Sequence, residues 1–371
     1  MRAGLIKARA DDILQAAWGA GGGQGRALLR GLLIPPAWLY GLGYRIRGLL
    51  PAVPERLPAP VIAIGNLTVG GTGKTPLAAH VAGILVRAGA SPAILSRGYG
   101  RMARAETVVV SDRERVLADA ARAGDAPVLL AGWLPGVPVI VDADRARSGR
   151  MAIERFGATV LVLDDAFQNR RVMKDLDIVA VDGRRPFGNG RMLPAGPLRM
   201  PKSEIARAGA IVITKLGSED DPEPLKRTLE GLAPRARVFE GRTVAVAFRD
   251  LVTRKTLPMD LLRSRRVAAM CGIAAPSAFG SLLSEEGIEV AGMFPFPDHH
   301  VYEPEDIRRV RAAAHAIEAV VTTEKDAVKI DPAWARGEPP VLALVTRMEI
   351  DDEAGFASIL REAVGSRARP E

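Results

Sequence analysis

The stretch Val61-Ile-Ala-Ile-Gly-Asn-Leu-Thr-Val-Gly-Gly-Thr-Gly-Lys-Thr-Pro76 constrains this chain more than any other. It opens on an apolar run suited to a buried strand and passes through Gly65, Gly70, Gly71 and Gly73. It then enters a segment whose Leu77, Val81, Ile84 and Leu85 recur at helical spacing, with Gly89 as a stop. Strand, glycine-rich turn, Gly-Lys-Thr and helix together form the phosphate-binding loop, or P-loop, of nucleotide-triphosphate enzymes. The chemistry explains the residue types. Thr68, Val69, Gly70, Gly71, Thr72, Gly73, Lys74 and Thr75 would wrap backbone N–H groups around phosphate oxygens, and glycine permits that close approach. Lys74 would reach the β- and γ-phosphates, and the Thr75 hydroxyl would sit on Mg²⁺. Pro76 fits a first helical turn, where a missing N–H costs nothing. The general motif starts on glycine; here that position is Thr68.

Outside this loop, short apolar runs alternate with helical or loop segments from 61 to about 215: Val61–Ile64, Ala93–Leu95, Thr107–Val110, Val137–Val141, Val160–Leu163, Ile178–Val181 and Ile211–Ile213. Runs without polar alternation suit strands buried on both faces, hence a mostly parallel, helix-covered α/β sheet of the P-loop type. Residues 220–250 read as a charged, proline-bearing linker in which Val244–Phe248 forms a strand. A second, smaller α/β/α unit follows, with strands at Val267–Met270, Val290–Phe294, Ala319–Val321 and Val341–Val345. Its helices start near Ser277, after Pro304 and around Ala354. The expected division is 1–60, 61–240 and 241–371.

The first 60 residues carry eight basic side chains, among them Arg45 and Arg47, against Asp11, Asp12 and Glu55. The apolar segment 27–44 is too interrupted by Arg30, Pro35 and Pro36 to span a bilayer, and no signal-peptide cleavage site follows it. Trp38, Tyr40 and Tyr44 beside arginines suit a membrane-surface segment; an N-terminal helical pair packed on the core is the alternative. The whole chain carries a net charge of +8 and a pI of about 9.9, so it favours anionic partners. Only 5% of residues are aromatic and no nucleic-acid module is recognisable, which argues against nucleic acid and leaves anionic lipid and phosphorylated metabolites. One cysteine, Cys271, excludes an internal disulfide and points to a reducing compartment.

Leu161-Val-Leu-Asp-Asp165 is an apolar strand ending in two carboxylates. Beside a P-loop, an acid at such a strand end holds Mg²⁺ or its water, so Asp164 and Asp165 join Thr75 as metal candidates. Adjacent acids leave a strand on opposite sides, so one of them meets the metal directly. Thr214-Lys215-Leu216-Gly217 resembles the base-reading loop of GTPases but puts Gly217 where guanine needs an acid, which favours ATP.

Taken in order, six segments closely resemble the tetraacyldisaccharide 4′-kinase family of lipid A biosynthesis. They are Gly65–Pro76, Ser96-Arg-Gly-Tyr-Gly100, Gly124-Asp-Ala-Pro127, Asp164-Asp-Ala-Phe-Gln168, Gly188-Asn-Gly-Arg-Met-Leu-Pro-Ala-Gly-Pro-Leu-Arg199 and Phe296-Pro-Asp-His299. The resemblance runs from about 25 to about 350. It implies two α/β/α domains with a nucleotide cleft, joined by a β-ribbon. It also implies γ-phosphoryl transfer from ATP to the 4′-hydroxyl of a tetraacylated glucosamine disaccharide 1-phosphate, by a peripheral protein on the cytoplasmic face of the inner membrane. No obligate protein partner is evident.

Carried over by the same resemblance, Asp125 matches the acid that takes the proton of the sugar hydroxyl, and His299 the histidine that partners it. Their placement in different units would make the pair form on closure. Arg199, and less specifically Arg145, match cations near the reaction. Three positions depart from the family pattern: Ala166 and Asn169 replace Gly and His, and Ala126 removes a carboxylate from the Gly-Asp-Glu-Pro motif. The competing reading of the same P-loop is an ATPase or GTPase switch such as a metal-insertion chaperone, and a third is a nucleotide-binding membrane adaptor without turnover.

Overall fold

The computed structural model describes Trp18 and residues 24–49, 53–98, 106–217, 220–298 and 300–365. Its contacts divide the chain into two compact units. One comprises Met1–Leu95, Asp144–Arg242 and Ile350–Glu371, the other Ser96–Ala143 and Thr243–Glu349. The first 60 residues do not separate from the P-loop unit, and 96–143 and 350–371 fall on the other side of the expected division. Residues 96–143 join the C-terminal half because the helix Asp125–Trp133 packs there, with Trp133 donating its indole N–H to Glu324 at 2.8 Å. The last helix, Glu353–Gly365, joins the P-loop unit through Glu353, which pairs with His80 and Arg87, and through Phe356, edge-on to Phe239 at 5.1 Å.

The strands in chain order are β1 Val61–Gly65, β2 Pro92–Ser96, β3 Val108–Ser111, β4 Val139–Val141, β5 Val160–Leu163, β6 Leu176–Asp182 and β7 Ala210–Thr214. They continue with β8 Arg237–Asp250, β9 Thr256–Leu257, β10 Arg266–Cys271, β11 Glu289–Pro295, β12 Ala319–Thr323 and β13 Val341–Ile350. Every apolar run singled out from the sequence lies in or overlaps one of them.

In the P-loop unit the order is β8-β7-β6-β1-β5-β2, and each of these neighbouring pairs is parallel. All residues of β1, β5 and β7 are buried, as continuous Val/Ile/Leu runs require when helices cover both faces. β1 sits between β5 and β6, both later in the chain, so the P-loop leaves from mid-sheet, where the carboxyl ends of such strands hold ligands.

In the other unit β11-β10-β12-β13 run parallel, with the second half of β8 beside β13, while β3 and β4 pair antiparallel. The alternation along β10 shows how that sheet is covered. Val267, Ala269 and Cys271 pack with Phe279 and Leu283, whereas Ala268 and Met270 pack with Tyr302, Ile307 and Val310. Two helices therefore take opposite faces of one strand. Burial, then the Asp326 charge, push the Cys271 thiol up to about 11, so it is not a thiolate at neutral pH.

The segment 220–250 is not a linker. Pro222 and Pro224 stand at the start of an amphipathic helix, Glu223–Leu232, whose Leu225, Leu229 and Leu232 pack on the P-loop unit's core, and β8 follows it. Near the N-terminus, Gln24–Leu49 is one helix running through Pro35 and Pro36. No described helix is long and apolar enough to cross a membrane. Arg2, Lys7 and Arg9 lie outside the described residues.

Candidate active site

β1 ends at Gly65, and the chain turns through the P-loop into the helix Lys74–Arg87. Gly70 at φ 108° and Gly73 at φ 75° hold conformations that side chains resist. Gly73 is the residue before the helix, so Lys74, Thr75 and Pro76 make its first turn, whose N–H groups have no intrahelical acceptor and face an anion well. The Thr72 carbonyl accepts from the Thr214 hydroxyl at 3.0 Å, tying the loop to β7.

Around Lys74 the structure gathers groups from four segments. Its Nζ donates to Asn66 Oδ1 at 3.2 Å and lies 3.8 Å from an Asp165 oxygen. Burial lowers the Lys74 pKa, and the Asp165 charge offsets part of that loss. Asp164 and Asp165 follow β5 and part in environment as expected. Asp164 is 4% exposed, while Asp165 turns through φ 50° and keeps its side chain only partly exposed. Arg199 donates to both Asp165 oxygens, at 2.9 and 3.3 Å, and to Asn66 Oδ1. Burial pushes the Asp165 carboxyl up, yet Lys74, Arg199 and Arg145 outweigh it and hold it below the usual carboxylate range. Arg145, itself buried, starts the helix Arg145–Phe156.

What aims Arg199 is a backbone splice. Arg199 N–H donates to Leu67 O at 2.8 Å and Val69 N–H to Pro197 O at 2.8 Å, so the Gly188–Arg199 loop pairs with the entry to the P-loop. Gly196 makes the loop possible, because a Cβ there would stand 2.4 Å from the Arg191 carbonyl oxygen. Asn66 is a residue the sequence reading passed over. It is 1% exposed, and since Lys74 and Arg199 only donate, the atom facing them is its carbonyl oxygen, which spaces the two cations. The available signal was a lone amide at the exit of a wholly apolar strand.

The departures from the family pattern find local roles. The left-handed residue of the Asp164–Phe167 turn is Asp165, not Ala166, so alanine at 166 costs no backbone strain. Asn169 Oδ1 accepts from Arg171 N–H at 2.8 Å and Val172 N–H at 3.3 Å, a turn-forming role that needs no titratable ring. Asp125 begins the helix Asp125–Trp133 with its carboxylate 3.9 Å from Lys329. It belongs to the unit of Ser96–Ala143 and Thr243–Glu349, which also holds Phe296 and His300. The expectation that the acid and its histidine come from different units is therefore corrected, because 96–143 folds with the C-terminal half. His299 itself lies outside the described residues; beside it, His300 stacks on Phe296 at 4.6 Å and pairs with Asp306 at 2.9 Å.

For Mg²⁺, Thr75, Asp164 and Asp165 offer hard oxygens beside Lys74, and both carboxylates act on the Lys74 charge, so the donor set suits that ion. Among the described residues no three His, Cys, Asp or Glu side chains cluster closely enough to hold a metal alone. The remaining ligands would be phosphate and water oxygens, as is usual for Mg²⁺ with a nucleotide.

The seam between β1 and the acidic turn makes one test of this construction. A Cβ on Gly65 would lie 2.5 Å from Phe167 Cβ and 2.7 Å from its backbone nitrogen. Gly65→Ala is expected to destabilise the fold by about 1–3 kcal/mol, read as a lower urea midpoint at unchanged m-value, because a backbone must move to admit the methyl. An unchanged midpoint would mean that this seam is not tightly packed.

The sequence model described as "Tetraacyldisaccharide-1-P 4'-kinase" matches residues 29–365. The tetraacyldisaccharide 4′-kinase of Anaeromyxobacter dehalogenans (strain 2CP-1) is 46% identical over 303 residues, covering 81% of this chain and 79% of that one. The tetraacyldisaccharide 4′-kinase of Geobacter sulfurreducens is 39% identical, over 91% of this chain and 94% of its own. Among solved structures, LpxK from Aquifex aeolicus in complex with ATP superposes with a TM-score of 0.72 at 29% identity, covering 91% of this chain and 99% of that one. A P-loop gripped by an acidic turn and an arginine loop, in a chain matched almost end to end by these kinases, leads to one conclusion: the protein belongs to the tetraacyldisaccharide-1-P 4′-kinase family and is a kinase of lipid A biosynthesis.

Proposed function

We propose that the cluster around Lys74 grips the triphosphate of ATP while Asp125 takes the proton of the acceptor's 4′-hydroxyl. The acceptor oxygen attacks the γ-phosphorus, the bond from that phosphorus to the β,γ-bridging oxygen breaks, and ADP leaves with the electron pair. The single observation that carries this reading is the Lys74–Asn66–Arg199–Asp165 cluster at the mouth of the P-loop. Two cations held a fixed distance apart by one amide oxygen suit a group whose charge spreads over three oxygens as it moves. Thr75 and Asp164 would hold Mg²⁺, because Asp165 is committed to Lys74 and Arg199. The ion would neutralise the β- and γ-phosphates. His299 would orient the Asp125 carboxylate, as the resemblance implies.

The acceptor carries four acyl chains, and the helix Gln24–Leu49 suits a lipid surface. Trp38, Leu39, Leu42, Ile46 and Leu49 form an exposed apolar stripe at three- and four-residue spacing, with exposed Arg45 and Arg47 beside it. The opposite side faces its own unit: Tyr40 donates to the Arg199 carbonyl at 3.1 Å, and Arg170 donates to the Tyr44 hydroxyl at 3.3 Å. We therefore place the protein peripherally on the cytoplasmic face of the inner membrane, with the stripe toward the lipid and the arginine loop just behind it. Thin-layer separation after incubating γ-labelled ATP with detergent-dispersed disaccharide 1-phosphate tests the reaction, and label is expected in the lipid. Label released to water at the same rate without acceptor would instead fit a nucleotide-driven switch.

A further inference from the structure

Lys329 is a buried lysine with no place in the scheme so far: its side chain is 8% exposed, and its Nζ lies between two carboxylates. One is Asp326 at 2.9 Å, the other Asp125 at 3.9 Å, and the ammonium also stands 5.2 Å from the Tyr302 ring centroid. Burying an ammonium is costly unless its partners are fixed.

Asp326 is fixed. It is fully buried, and its Oδ2 accepts from Gly272 N–H at 2.9 Å and from the Thr323 hydroxyl at 2.7 Å, which leaves Oδ1 facing Lys329. Asp125 is the other side of the bridge, a 13%-exposed carboxylate at the first turn of its helix. The same short segment also grips that helix at its far end, where Glu324 accepts from the Trp133 indole N–H at 2.8 Å and from Thr346 N–H at 3.0 Å. Glu324 and Lys329 thus brace one helix at both ends. Neither ion pair of Lys329 has hydrogen-bond geometry, so its N–H groups keep donor capacity.

A bridge whose only task was to neutralise Asp326 would not need to reach the first turn of another helix. We infer that Lys329 is a positioning residue for the phosphoryl transfer, holding the Asp125 carboxylate aimed at the acceptor hydroxyl from its anchor on Asp326. The inference rests on Asp125 being the base.

A double-mutant cycle tests it with Lys329→Met, Asp125→Asn and the pair in the full-length protein, assayed with ATP and the disaccharide 1-phosphate at raised enzyme concentration. Lys329→Met is expected to lower kcat about ten- to a hundredfold, the scale of a lost positioning contact, with KM for ATP within about twofold. In the Asp125→Asn background the same change should cost less than about twofold, since there is no base left to position. A near-normal kcat for Lys329→Met overturns the inference, and so does an equal loss in both backgrounds, which marks a structural role. If Asp125→Asn alone stays near normal, it is the base assignment that fails. Should Lys329→Met lose the folded state in thermal melts, Lys329→Gln carries the same cycle with the same outcomes.

Discussion

Lys74→Ala is expected to lower kcat for lipid phosphorylation more than about a hundredfold, a loss of about 2.7 kcal/mol of transition-state stabilisation. Three features of the site set that scale. The ammonium is the only lysine in the first turn of the P-loop helix, where backbone dipoles already favour phosphate. Its neighbours cannot take its place, because Arg199 is spent on Asp165 and Asn66. The Asp165 carboxylate would also lose a counter-charge 3.8 Å away and stand beside the incoming γ-phosphate less well compensated. Lys74→Arg should fail nearly as badly: its charge survives, but a planar fork cannot sit as a point charge against Asn66 Oδ1 and the Gly70 carbonyl. Single-turnover rates with saturating ATP separate this from weaker binding. A kcat within tenfold of the parent for Lys74→Ala would remove Lys74 from the chemistry and with it the proposed grip.

The parts of this protein that could be read from its sequence are the ones whose causes are local. The P-loop was legible because strand, turn and helix lie within Val61–Arg87, and each is dictated by residue type at short range. The strands were legible because burial on both faces leaves a run of apolar residues with no polar interruption. Legibility fails where distant segments meet. Asn66 and Arg199 stand 133 positions apart, and nothing near either one announces the other. The excursion 96–143 groups with 243–349 through pairs such as Trp133 with Glu324, 191 positions apart, and nothing in its own sequence announces that partner. The segment at 220–250 misled for a different reason. Proline near charge signals both linker and helix start, and Leu225, Leu229 and Leu232 decide for the helix. Lys329 was invisible because nothing in Glu-Lys-Asp-Ala-Val-Lys marks its second lysine or Asp326 as buried, which only the fold shows.

Asp125→Asn is the sharper test of the proposed chemistry, because it removes a base while sparing almost everything else. The amide has the carboxylate's shape and can begin the same helix, so folding and ATP binding should stay within about twofold of the parent. What it lacks is a site for the hydroxyl proton. A sugar hydroxyl is a weak nucleophile, and a positioned base contributes about 10²–10⁴ to such a step, so kcat should fall by at least a hundredfold. The loss should appear in kcat rather than in KM for either substrate, since an interaction made only as the proton moves does not bind the ground state. Asp125→Ala should fall at least as far, and its Lys329 would then face Asp326 alone, with one charge fewer around a buried ammonium. A near-normal kcat for Asp125→Asn would place the base elsewhere. The charge-bearing groups around it, Lys329 and Asp326, would then be a structural bridge in the second unit with no part in the transfer.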